Sequence, residues 1–147
     1  MKIVVVSDTH RQLDEIKSVL LKEKDADVFL HCGDSQLEHY QLYPFMSVQG
    51  NCDRYSSFPE VRIITTEYGN IVIHHGHLRY KYNLKYLKEH KAKICLFGHT
   101  HVKTDINLEG ILFLNPGSLT CPRDGTKGSY LVINLTENNV DYEFKYL

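Results

Sequence analysis

A chain of 147 residues, 42% hydrophobic and 24% charged, has the balance of a soluble globular protein and suits one domain, 1–147, able to bury a core. Its net charge of −1, with the signs interspersed, leaves no basic stripe for nucleic acid and no polybasic anchor, and no run approaches the about 18 apolar residues of a membrane span. The run Ile3-Val4-Val5-Val6 is too short for a signal peptide, and four scattered cysteines without a Cys-x-x-Cys pair read as reduced thiols, so the expected compartment is the cytoplasm.

Residues 2–7 form a continuous β-branched run, expected as a strand buried on both faces, with Asp8-Thr9-His10 at its C-terminal end. Residues 13–24 carry Leu13, Ile16, Val19 and Leu20 at helical spacing, so a loop bearing Asp-x-His links a strand to an amphipathic helix. Residues 28–32 are a second apolar strand, ending in Gly33-Asp34, where the glycine lets the backbone turn tightly beside the carboxylate. His31 lies inside that strand and reads as a core residue rather than a ligand. A helical or irregular segment covers 40–43, and a third strand over 45–49 ends in Gly50-Asn51-Cys52-Asp53. Strands over 61–66 and 70–73 flank Tyr68-Gly69-Asn70 as a hairpin whose second arm runs into His74-His75-Gly76-His77. A Lys-rich helix over 83–90 holds Leu84 and Leu87, and a strand over 92–97 delivers Gly98-His99-Thr100-His101. The remainder is β-rich: 104–108, a Glu109-Gly110 turn, 111–114 ending in Asn115-Pro116-Gly117-Ser118, then a hairpin of 129–135 and 140–146 turning through Glu137-Asn138-Asn139. Strands alternating with helices early and hairpins late predict an α/β fold of two packed sheets with helices outside.

Nine histidines are an unusual number. His39 and His90 sit in polar surroundings and are expected at the surface. His99 and His101, two apart, would point their rings the same way by the period of two. Singly, an Asp or Asn at a strand end is an ordinary cap or turn former, and a single His an ordinary hydrogen-bonding group. The informative feature is joint, because five strand ends each deliver oxygen or imidazole donors, and strand C-terminal ends are where α/β sites assemble. The candidates are Asp8, His10, Asp34, Asn51, His75, His99 and His101. Carboxylate, amide oxygen and imidazole without thiolate suit Mn first, with Fe, Zn, Ni or Co as alternatives. Seven donors exceed one small ion but fit two divalent metal ions if Asp34, at the middle of the set, bridges them. Such a pair can hold a hydroxide for in-line attack on a phosphoester.

The order of motifs resembles the calcineurin-like metallophosphoesterase family, whose signature runs D-x-H, G-D, G-N-H-[D/E], H and G-H-x-H. The matches are Asp8-Thr9-His10, Gly33-Asp34, Gly50-Asn51-Cys52-Asp53, His75 and Gly98-His99-Thr100-His101. The short length, with His75-Gly76-His77 and Asn115-Pro116-Gly117-Ser118, is similar to the small YfcE-like phosphodiesterase branch. The resemblance implies a four-layer α/β/β/α sandwich, two mixed sheets flanked by helices. It also implies one metal on Asp8, His10, Asp34 and His101 and a second on Asp34, Asn51, His75 and His99. The substrate is then a small-molecule phosphoester, with Asn51, Cys52 and His77 as the catalytic group.

One departure matters, because the wider family has a histidine where this chain has Cys52. That histidine is taken to contact the phosphate and protonate the leaving group. A thiol, with an ordinary pKa of about 8.5, holds a proton at neutral pH but donates weakly. Cys52 is either that acid or a small buried residue; Asp53 loses the partner it would orient, and His77 is the alternative donor or a residue orienting a ligand. Weak leaving-group stabilisation predicts that aryl phosphodiesters react much faster than alkyl ones. The competing readings are a phosphomonoesterase on the same site and a non-catalytic scaffold like the retromer subunit that resembles this family. An amidohydrolase places its His-x-His on an early strand, whereas here it comes late. Tyr40, Tyr43, Tyr80, Tyr82 and Tyr86 fit a substrate edge, a homo-oligomer contact or plain surface.

Overall fold

The computed structural model describes residues 1–54 and 56–147. Its first half contains β1 (Lys2–Val6), α1 (Leu13–Lys22), β2 (Val28–His31), α2 (His39–Leu42), β3 (Met46–Ser47), β4 (Val61–Thr65) and β5 (Asn70–His74). Then come α3 (Leu84–Glu89), β6 (Ala92–Leu96), β7 (Thr104–Leu108), β8 (Ile111–Asn115), β9 (Ser129–Leu135) and β10 (Val140–Tyr146). Two five-stranded mixed sheets result, ordered β10-β9-β1-β2-β3 and β4-β5-β6-β8-β7. Among the described residues no helix is long and apolar enough to cross a membrane.

The β-branched run at the start shows why the chain layers as it does. Ile3 and Val5 face a core between the sheets, shared with Leu30, Ile71, Ile73, Ile94 and Ile133. Val4 and Val6 face the other way and meet Ile16 and Val19 of α1 and Leu42 of α2. On the outer face of the second sheet, Leu87 of α3 packs on Val72 and Cys95. The layers are therefore α, β, β, α, as the sequence pattern anticipates. Each such apolar side chain removed from water contributes about 1.5–3 kcal/mol before the entropy of ordering is set against it.

Several elements are shorter than the sequence suggests, two of them, α1 and β3, for identifiable reasons. The α1 helix stops at Lys22 because Glu23 turns inward, 2% exposed, to accept from the Tyr130 hydroxyl and pair with Lys2 and Lys145. The third strand is only Met46–Ser47. Phe45 still donates to Leu42 in the turn after α2, and beyond Val48 the backbone leaves the sheet as Gln49 donates to Pro59.

Strand direction positions the site. In the first sheet β1, β2 and β3 run parallel, and in the second β5, β6 and β8 do. The loops after β1, β2, β3, β5 and β6 carry the five groups of candidate side chains. The loops after β1 and β2 are zipped together: Asp8 N–H donates to Gly33, His10 N–H to Asp34 and Arg11 N–H to Ser35.

Candidate metal centre

The loop backbones are unusual before any side chain is considered. Asp8, His10, Asp34, His99 and His101 all have left-handed φ, at 53°, 42°, 60°, 71° and 60°. A non-glycine residue there costs on the order of 1 kcal/mol, and such residues cluster where a side chain must be aimed. The hydrogen bonds between the β1 and β2 loops hold that geometry, and the Ser118 hydroxyl adds a bond to the Asp8 carbonyl at 2.8 Å. Glycine is required where the loops touch. A Cβ on Gly98 would land on the Ser7 hydroxyl, and one on Gly50 would land on the Asp34 carboxylate.

The fold brings all seven candidate donors into one connected cluster. Donor atoms of Asp8, His10 and His101 lie within 4.8 Å of one another, as do those of Asp8, Asp34 and His75. His101 Nε2 is 3.3 Å from Asp8 Oδ1, and His75 Nε2 is 3.2 Å from Asp34 Oδ2. Asn51 Oδ1 sits 3.1 Å from both His75 Nε2 and His99 Nδ1. The cluster has a floor and a rim: Asp8 (0%), His75 (1%), Asp34 (3%) and His101 (5%) are buried, whereas Asn51 and His99 are exposed.

The rings are fixed from behind. His75 Nδ1 donates to the Cys32 carbonyl and His101 Nδ1 to the Cys121 carbonyl, each at 2.7 Å, while His10 Nδ1 bonds Gln36 Oε1 at 2.8 Å. A carbonyl oxygen only accepts, so the neutral rings present bare Nε2 lone pairs inward. His10 Nε2 and His101 Nε2 then face each other at 3.4 Å, and the buried Asp8 Oδ1 finds no donor among the described residues. Acceptors converging on acceptors repel unless a proton or a cation lies among them, so the donor set fits a metal.

The titration behaviour has the same origin. Burial pushes the Asp34 carboxyl up, but contact with His75 and its charge win and hold it at about 2. Burial likewise opposes ionisation of Asp8, and His101, His75 and the Ser7 hydroxyl carry it below the usual carboxylate range. His75 is pressed down by burial and lifted further by Asp34 and Asp8, for a net rise; His101 is raised chiefly by Asp8. His99 is lowered by burial and by His75.

The family model for the calcineurin-like phosphoesterase superfamily domain matches residues 1–138. The chain belongs to that superfamily. A probable metallophosphoesterase of Bacillus subtilis (strain 168), YsnB, is 33% identical over 98% of this chain and 90% of its own length. A crystal structure of a phosphoesterase predicted in Streptococcus pneumoniae TIGR4 has a TM-score of 0.86 at 31% identity, covering 97% of this chain and 87% of that one. Two more distant structures share the fold: the phosphoesterase YfcE of E. coli (TM-score 0.72, 22% identity, 91% and 88% covered) and Vps29 of Entamoeba histolytica in complex with zinc (0.72, 19%, 99% and 98%).

In this superfamily member Cys52 is half-buried beside Asp34 and His10; burial and then the Asp34 charge raise its pKa, so the thiol keeps its proton. His77 lies 5.4 Å from the His75 ring and 6.3 Å from the His99 ring, and its Nδ1 has no partner among the described residues. Burial and the two neighbouring imidazoles lower its pKa. His31 is fully buried, accepting from Gly33 N–H at Nδ1 and bonding Thr9 Oγ1 through Nε2 at 2.9 Å, which is a core role. His39 is exposed, while His90 is half-buried and stacked on Tyr86 at 4.0 Å.

Sequence reasoning misplaced one feature and missed others. His99 and His101 do not point the same way: both are left-handed, so the period of two fails, and His99 meets Asn51 while His101 meets Asp8. Asp53 is 2% exposed and accepts three backbone N–H groups, from Asp34, Gly50 and Gln36, which ties the β2 and β3 loops together. Its place in Gly50-Asn51-Cys52-Asp53 was a usable signal. Gln36, Ser7 and the carbonyls of Cys32 and Cys121 carried none. Of the five tyrosines, Tyr82 borders a pocket at the site, while Tyr40, Tyr43 and Tyr80 are 77%, 77% and 72% exposed.

Proposed function

We propose that this metallophosphoesterase is a phosphodiesterase of small-molecule esters, working in the cytoplasm with two divalent metal ions, manganese foremost. The observation that supports it is the buried Asp8 Oδ1, without a donor and facing inward-aimed imidazoles within a ring of seven donors. Asp8, His10, Asp34 and His101 would hold one ion; Asp34, Asn51, His75 and His99 the other. When bound, the ions supply positive charge to the phosphoryl oxygens and acidify a water as nucleophile.

The remaining work falls to the chain's own groups. Asp34 is ionised throughout the neutral range and joins the two halves of the donor set. Asn51, exposed at the rim, offers its amide to the substrate oxygens as well as its Oδ1 inward. His77, half-buried beside the His75 and His99 rings, offers a ring N–H to a phosphoryl or leaving-group oxygen. The protonated Cys52 thiol, which accepts from the Asn51 amide at 3.6 Å, is a weaker donor.

Manganese-reconstituted wild type and Asp34→Asn assayed on para-nitrophenyl phosphate and bis(para-nitrophenyl) phosphate test this reading. The wild type should turn over the diester in preference to the monoester, and Asp34→Asn should lose about a hundredfold or more in kcat/KM. Monoester preference would make the protein a phosphomonoesterase. Absence of turnover with metal bound would make it a scaffold.

A further inference from the structure

The donor cluster opens on two unlike pockets. One, about 510 Å3, is polar and includes Arg11, Arg54, Gln36, Asn51 and Cys52. The other, about 550 Å3, starts at His77, Gly98 and His99 and runs beneath α3. Its walls are Phe97, Phe113, Leu84, Leu87, Leu108 and Tyr82, and Arg79 at its mouth is the one fixed charge among the lining residues. Both volumes lie within the about 300–1,000 Å3 range of small-molecule sites, but only the second has the apolar, aromatic lining of a pocket for a ring.

Position and lining both say that this pocket takes part of the substrate. It shares His99 with the donor cluster, so a group bonded to a phosphorus held there reaches the pocket without leaving the protein. His77, half-buried beside the His75 and His99 rings, borders it as well, so the pocket meets the donor cluster at two imidazoles. The charge also separates the pockets: the polar one is lined by Arg11, Arg54, Glu38 and Asp53, the apolar one by the single fixed charge of Arg79, so a hydrophilic part of the substrate suits the first and an apolar part the second.

We infer that the pocket of Phe97, Phe113, Leu84 and Leu108 is the subsite for an aryl or other planar apolar ester group. The inference rests on the phosphoesterase reading and names its substrate class, a phosphoester bearing at least one aromatic substituent. A small alkyl monoester would leave the pocket empty.

Faster turnover of aryl than alkyl esters would not by itself test this, because aryl oxides are also better leaving groups. Binding of two non-hydrolysable probes, phenylphosphonate and methylphosphonate, to the manganese-loaded protein separates the causes, since both present the same headgroup. Calorimetry should find phenylphosphonate about tenfold or more tighter, from the apolar area the ring buries. Leu84→Gln and Leu108→Gln, at half-buried and exposed positions outside the donor cluster, should each cut that preference about threefold and together nearly abolish it, while methylphosphonate affinity stays within about twofold. Circular dichroism checks folding, and if one variant fails to fold the other decides. Equal affinities in the wild type, or an undiminished preference in folded variants, would overturn the subsite. The same preparations assayed on para-nitrophenyl esters keep the two ideas apart: turnover without aryl preference in binding overturns the subsite alone, and no turnover overturns the phosphoesterase reading and the inference with it.

Discussion

Replacing Asp53 by Asn changes one atom yet should loosen the whole floor of the site. Asp53 Oδ2 accepts from Asp34 N–H at 2.7 Å and Gly50 N–H at 2.8 Å, and Oδ1 accepts from Gln36 N–H at 2.8 Å. An amide has one acceptor oxygen. Placed to keep the first two bonds, Asn turns its NH2 toward the Gln36 N–H, losing a bond to a charged acceptor and setting donor against donor. The lost bond costs about 1.5–3 kcal/mol, and the two survivors weaken from charge-assisted to neutral. The sum is about 3 kcal/mol, or roughly 6–12 °C in Tm for a domain of this size. Because Asp34 is among the residues released, the manganese-induced rise in Tm should shrink in the same variant. Urea titration measures the first quantity, and thermal melts with and without metal measure the second. An Asp53→Asn protein within about 0.5 kcal/mol of wild type would refute the reasoning, showing that the three bonds are dispensable.

Gly98→Ala drives a methyl onto the Ser7 hydroxyl and to 2.7 Å from Asp8 Oδ2, so a loss of about 1–3 kcal/mol with weakened metal binding is expected by melts with and without manganese. His31 is fully buried and held at about 4 by that burial. Its folded pKa lies below the unfolded value of about 6.5, so between those values the unfolded chain binds a proton that the folded one refuses. Stability of the metal-free protein should therefore fall by up to about 3 kcal/mol as pH drops through that window, and His31→Gln should flatten that part of the profile. His75 and His101 behave oppositely, since their folded pKa values are raised. Each stabilises the metal-free fold below the unfolded pKa, and that contribution disappears as pH rises through the folded pKa. Protons therefore compete with metal from above about pH 6.5, and bound manganese should be lost as pH is lowered from 8 to 5. Retention across that range, measured by equilibrium dialysis, would contradict this origin for the affinity.

The layers were legible because apolar runs are short and punctuated. Ile3-Val4-Val5-Val6 has no polar alternation, which signals burial on both faces, and β1 does divide its side chains between two cores. The turns were legible through Gly33, Gly50 and Gly98, whose missing Cβ atoms make room for His75, Asp34 and Ser7. Element ends were less so: nothing in the order of residues says that Glu23 will leave α1 to meet Tyr130, more than a hundred positions away in the chain, because that contact exists only once β9 lies beside β1. The apolar pocket was illegible for the same reason. Phe97, Phe113, Leu84 and Leu108 each look like ordinary apolar positions of their own segments, and only packing makes them one wall.

The donor list was legible as chemistry but not as geometry, and the pair His99 and His101 shows why. Spacing says which residue types arrive at a strand end, and it aims them correctly only while the backbone remains extended. With φ at 71° and 60°, both residues have left the strand conformation, and their rings separate: one to the exposed rim beside Asn51, the other to the buried floor beside Asp8. That separation gives the site its polarity. Floor donors are desolvated, fixed by the Cys32 and Cys121 carbonyls and costly to leave unpaired, so they favour a cation at all times. Rim donors are wet and lie between the polar and apolar pockets, where a substrate can displace their water. A cluster with every donor on the floor would bind metal as firmly and leave no open edge for an ester. The left-handed residues, at on the order of 1 kcal/mol each, are what divide binding a cation from meeting a substrate.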